Sequence, residues 1–236
     1  MAALPPPTLR TPHHRRLREI YRSAGWPCHD MLEVELLAAG LLERVRDDRG
    51  RETLRVTDAG IQVLAQTLQK NRAARDAHEA LVARVAAEMQ RAGRIAWRGL
   101  SLRAKVEERW CIAMPDVFSV RHTTVEDYLE PVVHEIKVRR ADLLSDLRHE
   151  AKRLAYLEMS SQCWYVLREG IAEPAEIPPP FGVLVALEAG GFEVARPAAK
   201  RALRPPFHLW MALARAAPEP MDDPSQAWLG GDDTPC

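Results

Sequence analysis

The sequence predicts a small α+β domain at the N-terminal end, followed by a larger α/β domain with a mixed sheet. Two observations support this division. Residues 8–70 order as helix, helix, hairpin and helix, whereas after Gly93 β-branched and aromatic runs alternate with an amphipathic helix. With 236 residues, 47% of them hydrophobic and 28% charged, the chain can bury one sizeable core or two small ones.

Composition and charge exclude several classes of protein. The formal net charge is zero, so binding to a polyanion or a membrane surface would need a local patch. The four cysteines are scattered and form no CxxC pair, which argues against a structural zinc site and a disulfide framework. No apolar run approaches the ~18–20 residues of a membrane span. The first residues, MAALPPPTLR, lack the apolar core of a signal peptide, so we expect a cytoplasmic protein.

Two helices are predicted at the start of the N-terminal domain. Residues 8–22 place Leu17, Ile20 and Tyr21 at helical spacing among arginines, and "GWPCHD" ends this helix. A second helix follows in "HDMLEVELLAAG", with Gly40 as its C-terminal stop.

A hairpin and a long helix complete this domain. Residues 41–46 and 53–56 read as strands on either side of the polar turn 47–50. Thr57 caps the next helix, and residues 58–92 form one long helix or two in tandem. We place the domain boundary within 69–76, where the apolar stripe is interrupted. The predicted domains are therefore 8–70 and 71–215, with a disordered tail at 216–236.

The larger domain is predicted to contain strands covered by helices. The order after the long helix is three strands, a helix, a strand, a hairpin and a short closing helix. In the same order, the segments are "RIAWRGLSL", "WCIAMPDVFSVR", "PVVHEIKV", residues 141–159, "CWYVLRE", the hairpin turned at Gly190-Gly191, and "PFHLWMALARA".

Two charges inside an apolar strand, "VVHEIKVRR", indicate a functional site. Glu135 and Lys137 project from the same side of the strand, while Ile136 points into the opposite, apolar layer. If the preceding strand forms a hairpin with this one, a turn centred in "HTTVEDY" places Asp116 beside Glu135. Two carboxylates at that distance repel each other unless a cation lies between them. Oxygen ligands of this kind suit Mg²⁺ or Mn²⁺, and Lys137 is then placed to position or activate a bound water.

These motifs resemble the PD-(D/E)XK nuclease superfamily. Pro115-Asp116 and Glu135-Ile136-Lys137 match its motif, and the predicted order from residue 76 matches its restriction-endonuclease-like αβββαβ core. The stretch "EIKVRRADLLSDLRHEAKRLAYLEMSSQCWYV" is similar to the MmcB-like DNA repair proteins, and the resemblance covers about residues 76–200. It implies Mg²⁺-dependent cleavage of phosphodiesters, with Asp116, Glu135 and Ile136 at the metal and Lys137 catalytic. A further acid from the first core helix would be Glu79, with Glu88 as the alternative.

The resemblance also implies nucleic acid as the substrate. Cations and one aromatic residue follow the motif strand and would contact phosphates without reading sequence. They are Arg139, Arg140, Lys152, Arg153 and Tyr156.

The N-terminal domain resembles a winged helix-turn-helix. Arg15 and Arg16 of its first helix and Arg49 and Arg51 of its wing would contact DNA. One departure from that pattern is the short stretch between Gly25 and Gly40, which has little room for both a positioning and a recognition helix.

Several alternatives stay open. Glu135 and Lys137 could belong to a solvated strand, or the site could bind DNA without cutting it, in a regulator whose winged helix does the work. We interpret His13-His14 and Cys28-His29 as non-ligands, and Trp164 and Tyr165 as core residues. We expect a magnesium-dependent nuclease acting on double-stranded or branched DNA in repair, restriction or mobile-element processing. RNA as a substrate and a homodimer are open alternatives.

Overall fold

The computed structural model describes residues 8–220, which divide into two compact units between Ala73 and Ala74. The first unit contains two helices, a hairpin and the start of a long helix. Its elements are α1 (Thr11–Arg22), α2 (Met31–Ala38), β1 (Leu42–Arg46), β2 (Glu52–Val56) and α3 (Asp58–Arg91), which ends in the second unit. Residues 58–91 are therefore one helix.

Leucines from all five elements form the core of the first unit, where Leu17, Leu36 and Leu54 are buried. The chain between α1 and α2 is anchored at Gly25, whose carbonyl accepts the amide of Leu54 at 2.6 Å. Gly25 has a φ of +74°, and a Cβ there would lie 2.1 Å from the Leu54 carbonyl oxygen, so this close approach requires glycine.

One helix, α2, lies between Gly25 and Gly40. Its N-terminus is capped by Asp30, whose side chain accepts the Glu33 amide at 2.9 Å. The short stretch noted in the sequence thus holds a single eight-residue helix.

As far as residue 220, the second unit contains the end of α3, eight strands and three further α-helices. They are β3 (Arg94–Arg98), β4 (Leu102–Val106), β5 (Arg109–Ala113), β6 (Val117–Arg121), β7 (Val132–Lys137), α4 (Arg140–Asp146), α5 (Glu150–Met159), β8 (Gln162–Arg168), β9 (Gly182–Ala186), β10 (Phe192–Arg196) and α6 (Phe207–Arg215). Six of the strands form a mixed sheet in the order β10-β9-β8-β7-β6-β3. Strand β6 pairs antiparallel with β3 and β7, and β7, β8 and β9 run parallel.

Apolar layers cover both faces of this sheet. Leu81, Val82 and Val85 of α3 pack with Ile136 of β7 on one face. Residues of α4 and α5 pack on the other face, together with the inner side of the β4–β5 hairpin. Every residue of β7 is buried, because the strand has neighbours on both sides and cores on both faces.

Three predicted elements are divided in the structure. The predicted strand "RIAWRGLSL" covers β3 and the first residue of β4, with a break at residues 99–101. The predicted strand "WCIAMPDVFSVR" is two strands, β5 and β6, interrupted at residues 114–116, and β5 pairs with β4 in a separate hairpin. The predicted helix 141–159 is α4 and α5, separated at residues 147–149. In one continuous helix, residues 146 and 152 would lie about 120° apart around the helix axis. The break between α4 and α5 allows both residues to face the same site.

The hairpin turned at Gly190-Gly191 is confirmed as β9 and β10. Its ladder shifts register between Val194 and Arg196, a β-bulge. Beyond it, the Arg196 guanidinium donates hydrogen bonds to four carbonyls of the loop 174–181.

The predicted tail is described only to residue 220. Glu219 lies beside the edge strand β3. Its amide donates a hydrogen bond to the Ala96 carbonyl at 2.8 Å, and its carboxylate pairs with Arg98 at 2.8 Å. Residues 221–236, and residues 1–7, lie outside the described part of the chain. Within residues 8–220 no helix has both the length and the apolar character needed to cross a membrane.

Candidate functional site

Asp116 and Glu135 are brought together by the pairing of β6 with β7. The ladder joins Val117 to His134 and Phe118 to Val133, so the next step places Asp116 opposite Glu135. The Asp116 carboxylate accepts the amide of Ile136 at 2.7 Å, which extends the contact between the two strands by one hydrogen bond. This is the register that the turn in "HTTVEDY" predicts.

Glu135 and Lys137 lie on the same side of β7 and bind each other. The Lys137 ammonium is 2.6 Å from Glu135 Oε1, and the two residues are 9% and 3% exposed. Ile136 between them packs into the opposite core. The two charges inside the apolar strand are therefore paired, as burial in a low-dielectric interior requires.

Lys152 and Tyr156 of α5 also bind Glu135. They are four residues apart and so lie on the same face of the helix. Lys152 Nζ donates to Glu135 Oε1 at 2.6 Å, and the Tyr156 hydroxyl lies 2.8 Å from Glu135 Oε2 and 3.0 Å from the Met114 carbonyl oxygen. Both were predicted to contact nucleic acid. The structure places Lys152 in this network and buries Tyr156 to 1% exposure.

Asp146, the last residue of α4, is a further carboxylate at the site. It accepts Lys152 Nζ at 2.8 Å and the Tyr165 hydroxyl at 2.7 Å, and it lies 3.5 Å from Lys137 Nζ. Sequence reasoning missed it. Tyr165, whose hydroxyl Asp146 accepts, pairs with Glu135 in the parallel β7–β8 register and so lies on the same side of the sheet. Together, Asp116, Glu135, Lys137, Asp146 and Lys152 are called the acid–lysine cluster below.

Burial and neighbouring charges shift the pKa values of two carboxyl groups in the cluster. Burial raises the pKa of the Glu135 carboxyl, and the nearby charge of Asp116 raises it further, against the opposing effect of the two lysines. The pKa of Asp146 is lowered, because Lys137, Lys152 and Tyr165 outweigh the effect of its burial. With all five groups ionised, three carboxylates face two ammonium groups, which leaves one negative charge in excess.

A histidine connects Asp116 to Glu79. His78 Nε2 lies 3.4 Å from Asp116 Oδ2, and His78 Nδ1 lies 3.4 Å from Glu79 Oε1. The hydrogen bond to Asp116 is the main reason that the pKa of His78 is raised. Glu79 therefore borders the site through His78, whereas Glu88 pairs with Arg91 at 2.6 Å.

A metal ion at this site would have Asp116 and Glu135 as its carboxylate ligands. Within residues 8–220, no three His, Cys, Asp or Glu side chains are grouped so as to hold a metal. Mg²⁺ commonly binds through only one or two protein carboxylates, together with waters and substrate phosphates. Asp116 and Glu135 could supply these two carboxylates. Ile136 could contribute only main-chain atoms, and its amide is already bonded to Asp116.

Comparisons with known proteins do not identify the chain. No family model matches the sequence, and no curated protein matches it. A solved structure of a protein of unknown function from Silicibacter pomeroyi is 20% identical and covers 60% of this chain and 80% of its own, with a TM-score of 0.38.

The other predicted contacts after β7 are engaged locally. Arg140 forms a two-pronged pair with Glu176, with distances of 3.0 and 2.9 Å. Arg153 donates to the carbonyls of Asp146 and Leu147. Arg139 occupies the N-cap position of α4. The surface offered to a phosphate backbone on this side is therefore less basic than the sequence suggests.

The basic residues of α1 are also paired. Arg16 binds Asp30 at 2.8 Å, and Arg15 lies 3.9 Å from Glu19. In the same unit, buried His13 contacts Glu35. The helix therefore presents fewer uncompensated charges than its sequence suggests.

In the β1–β2 hairpin, Arg51 pairs with Asp47 at 2.7 Å. Arg49 is exposed at the turn. Charges of both signs thus alternate on the predicted wing.

Proposed function

We propose that the second unit hydrolyses phosphodiester bonds of DNA with the help of Mg²⁺ or Mn²⁺. The observation that carries this proposal is the convergence of Asp116 and Glu135 from paired strands, with the Lys137 ammonium 2.6 Å from Glu135. The elements α3, β3, β6, β7, α5 and β8 follow one another in this order, with β4, β5 and α4 between them, and support the αβββαβ core that the motifs imply.

Asp116 and Glu135 would hold the ion, which supplies Lewis-acid polarisation of the phosphate and activation of water. Lys137 would stabilise negative charge that develops on the phosphate, because a fixed ammonium is most effective in a site shielded from water. Tyr156 and Lys152 orient Glu135, and Asp146 holds both ammonium groups close to it.

Purified protein with labelled single-stranded, duplex and branched DNA, and with RNA, tests this proposal in Mg²⁺, Mn²⁺ or EDTA. We expect metal-dependent products that Asp116→Asn and Glu135→Gln abolish, and a rate reduced about 10²–10³-fold in Lys137→Met. Asp127→Asn removes an exposed carboxylate outside the cluster and is the matched control. Cutting by Asp116→Asn at the wild-type rate would reject the proposal, provided that circular dichroism shows all variants folded.

A specific observation favours a second function, a DNA-binding regulator without catalysis. Glu135 Oε1 accepts two ammonium groups and Oε2 accepts a hydroxyl, so its carboxylate is satisfied without a metal. A fully hydrogen-bonded polar network of this kind can have a purely structural role, in which it favours one packing of the core. Tight binding of DNA that stays intact in both metals would support this alternative, and it predicts that Asp116→Asn leaves that binding unchanged.

A further inference from the structure

Three large apolar side chains lie in an exposed row on β5 and just beyond it. Trp110, Ile112 and Met114 are 63%, 67% and 55% exposed. Alternate residues of a strand share a face, so Trp110 and Ile112 stand about 6.8 Å apart on the outer side of the hairpin, and Met114 directly follows the strand. We call them the hairpin stripe. The inner side of the β4–β5 hairpin, which includes Ala104 and Ala113, is buried against the core.

Cations stand beside the hairpin stripe. In the β4–β5 register, Arg103 is opposite Ile112 and Lys105 is opposite Trp110, so a basic side chain neighbours each of these two apolar ones. Lys105 pairs with Glu108 at the turn. Arg103 has no ion-pair partner among residues 8–220, which leaves its charge available to a ligand.

A groove of about 570 Å³ continues the hairpin stripe toward α6. Arg103 lines it together with Phe207, His208, Met211 and Arg215. The Trp110 ring meets the His208 ring edge-on, with centroids 5.4 Å apart, and so joins the stripe to the groove. Of the described residues, no aspartate or glutamate lines the groove.

The main chain that follows the hairpin stripe leads to the acid–lysine cluster. Met114 is two residues before Asp116, and its carbonyl oxygen lies 3.0 Å from the Tyr156 hydroxyl that also contacts Glu135.

We propose that the hairpin stripe and this groove bind single-stranded nucleic acid. The proposal rests on the proposed phosphodiesterase function and specifies the form of its substrate. Exposed aromatic and apolar side chains accept unstacked bases, and uncompensated arginines neutralise phosphates. A duplex keeps its bases stacked and could use only the arginines. The absence of lining carboxylates in the described groove favours a polyanion over a protein partner, whose own acids and bases would need both signs.

Fluorescence anisotropy of a labelled dT₁₂ oligonucleotide, measured in EDTA so that nothing is cut, tests the stripe apart from catalysis. We expect Trp110→Ala to weaken binding about 5- to 150-fold, the range for loss of one stacked base, and Trp110→Phe to restore it. Trp26→Ala is the matched control, because Trp26 is also 63% exposed but lies in the first unit. Arg103→Gln should reduce the slope of log affinity against log salt by about 0.7.

Each outcome decides the matter. Equal affinity of Trp110→Ala and Trp26→Ala would overturn the proposal, and so would tighter binding of a twelve-base-pair duplex that depends on Trp110. A loss of self-association in Trp110→Ala, with dT₁₂ affinity unchanged, would assign the stripe to contact between copies of the chain. Stripe-dependent binding without cutting of any DNA would keep this inference and remove the proposed function. Cutting by Trp110→Ala at the control rate, with unchanged affinity, would do the reverse.

Discussion

Replacing Tyr156 by phenylalanine removes one hydroxyl from the centre of the acid–lysine cluster. That hydroxyl lies 2.8 Å from Glu135 Oε2 and 3.0 Å from the Met114 carbonyl oxygen, and the residue is 1% exposed. Both acceptors would be left without this partner in a site that water reaches poorly. A hydrogen bond to a charged group contributes about 1.5–3 kcal/mol, so we expect a loss of that size in the free energy of unfolding. For a chain of this length it corresponds to a fall of about 3–12 °C in Tm.

The same substitution should also change the pH dependence of the proposed metal binding. The hydroxyl favours the charged form of Glu135, whose pKa is already raised above its ordinary 4.5 by burial. Its loss should raise that pKa further, so the carboxylate is freed of its proton only at higher pH. We expect the acidic limb of Mn²⁺ binding, followed by calorimetry, to move to higher pH in Tyr156→Phe.

Two other tyrosines provide the controls. Tyr165→Phe removes the hydroxyl 2.7 Å from Asp146. It should lower the free energy of unfolding by a similar amount and leave the acidic limb of Mn²⁺ binding nearly unchanged. Tyr128→Phe changes a side chain that is 64% exposed and should be neutral. If Tyr156→Phe melts and binds Mn²⁺ as Tyr128→Phe does, the hydroxyl does not act on Glu135 and the reasoning fails.

Three further predictions concern other positions. In metal-free buffer, the NMR titration of His78 should have a midpoint above 6.5 that returns toward 6.5 in Asp116→Asn; no change in that variant would contradict the contact. Gly25→Ala should destabilise the first unit by about 1–3 kcal/mol from backbone strain alone, seen as faster hydrogen exchange in α1 and β2; unchanged exchange would count against it. His134 is buried with its pKa lowered to about 3, so the unfolded state binds more protons below pH 6.5 and stability falls as pH drops from 6.5 toward 3. In urea titrations, His134→Leu should remove up to about 1.4 kcal/mol per pH unit of this acid sensitivity, and equal sensitivity in both proteins would refute the assignment.

The sequence was sufficient to predict that Asp116, Glu135 and Lys137 lie together. Glu135 and Lys137 share a side of β7 because the two-residue period of a strand is a local property. The position of Asp116 opposite Glu135 followed from one turn, because the register of an antiparallel pair is set where the chain reverses.

The β4–β5 hairpin was missed because its turn carries no turn residue. Glu107 and Glu108 have φ values of 46° and 64°, the two positive angles that a type I′ turn requires, at positions where glycine or asparagine would be expected. Nothing in the local pattern identifies two glutamates as such a turn. The structure accepts them between Val106 and Arg109, which pair across the hairpin.

The contacts of Lys152 and Tyr156 with Glu135 were not predicted, for a different reason. A helix reveals which residues share a face but not what that face will pack against. Their four-residue spacing was visible, whereas the break between α4 and α5 that turns them toward Glu135 depends on tertiary packing. Asp146 was missed for the same reason.

The β-bulge in β10 bears on how the protein behaves when it is concentrated. A regular outer strand offers a row of amides and carbonyls on which another sheet can grow. The register shift at Val194–Arg196 disrupts that row and twists the strand, and the Arg196 side chain beyond it is bonded to the loop 174–181. Addition of a foreign strand at this margin is thereby discouraged, and lysine in place of Arg196 should make concentrated solutions more prone to fibrous aggregation, since one ammonium cannot span four carbonyls.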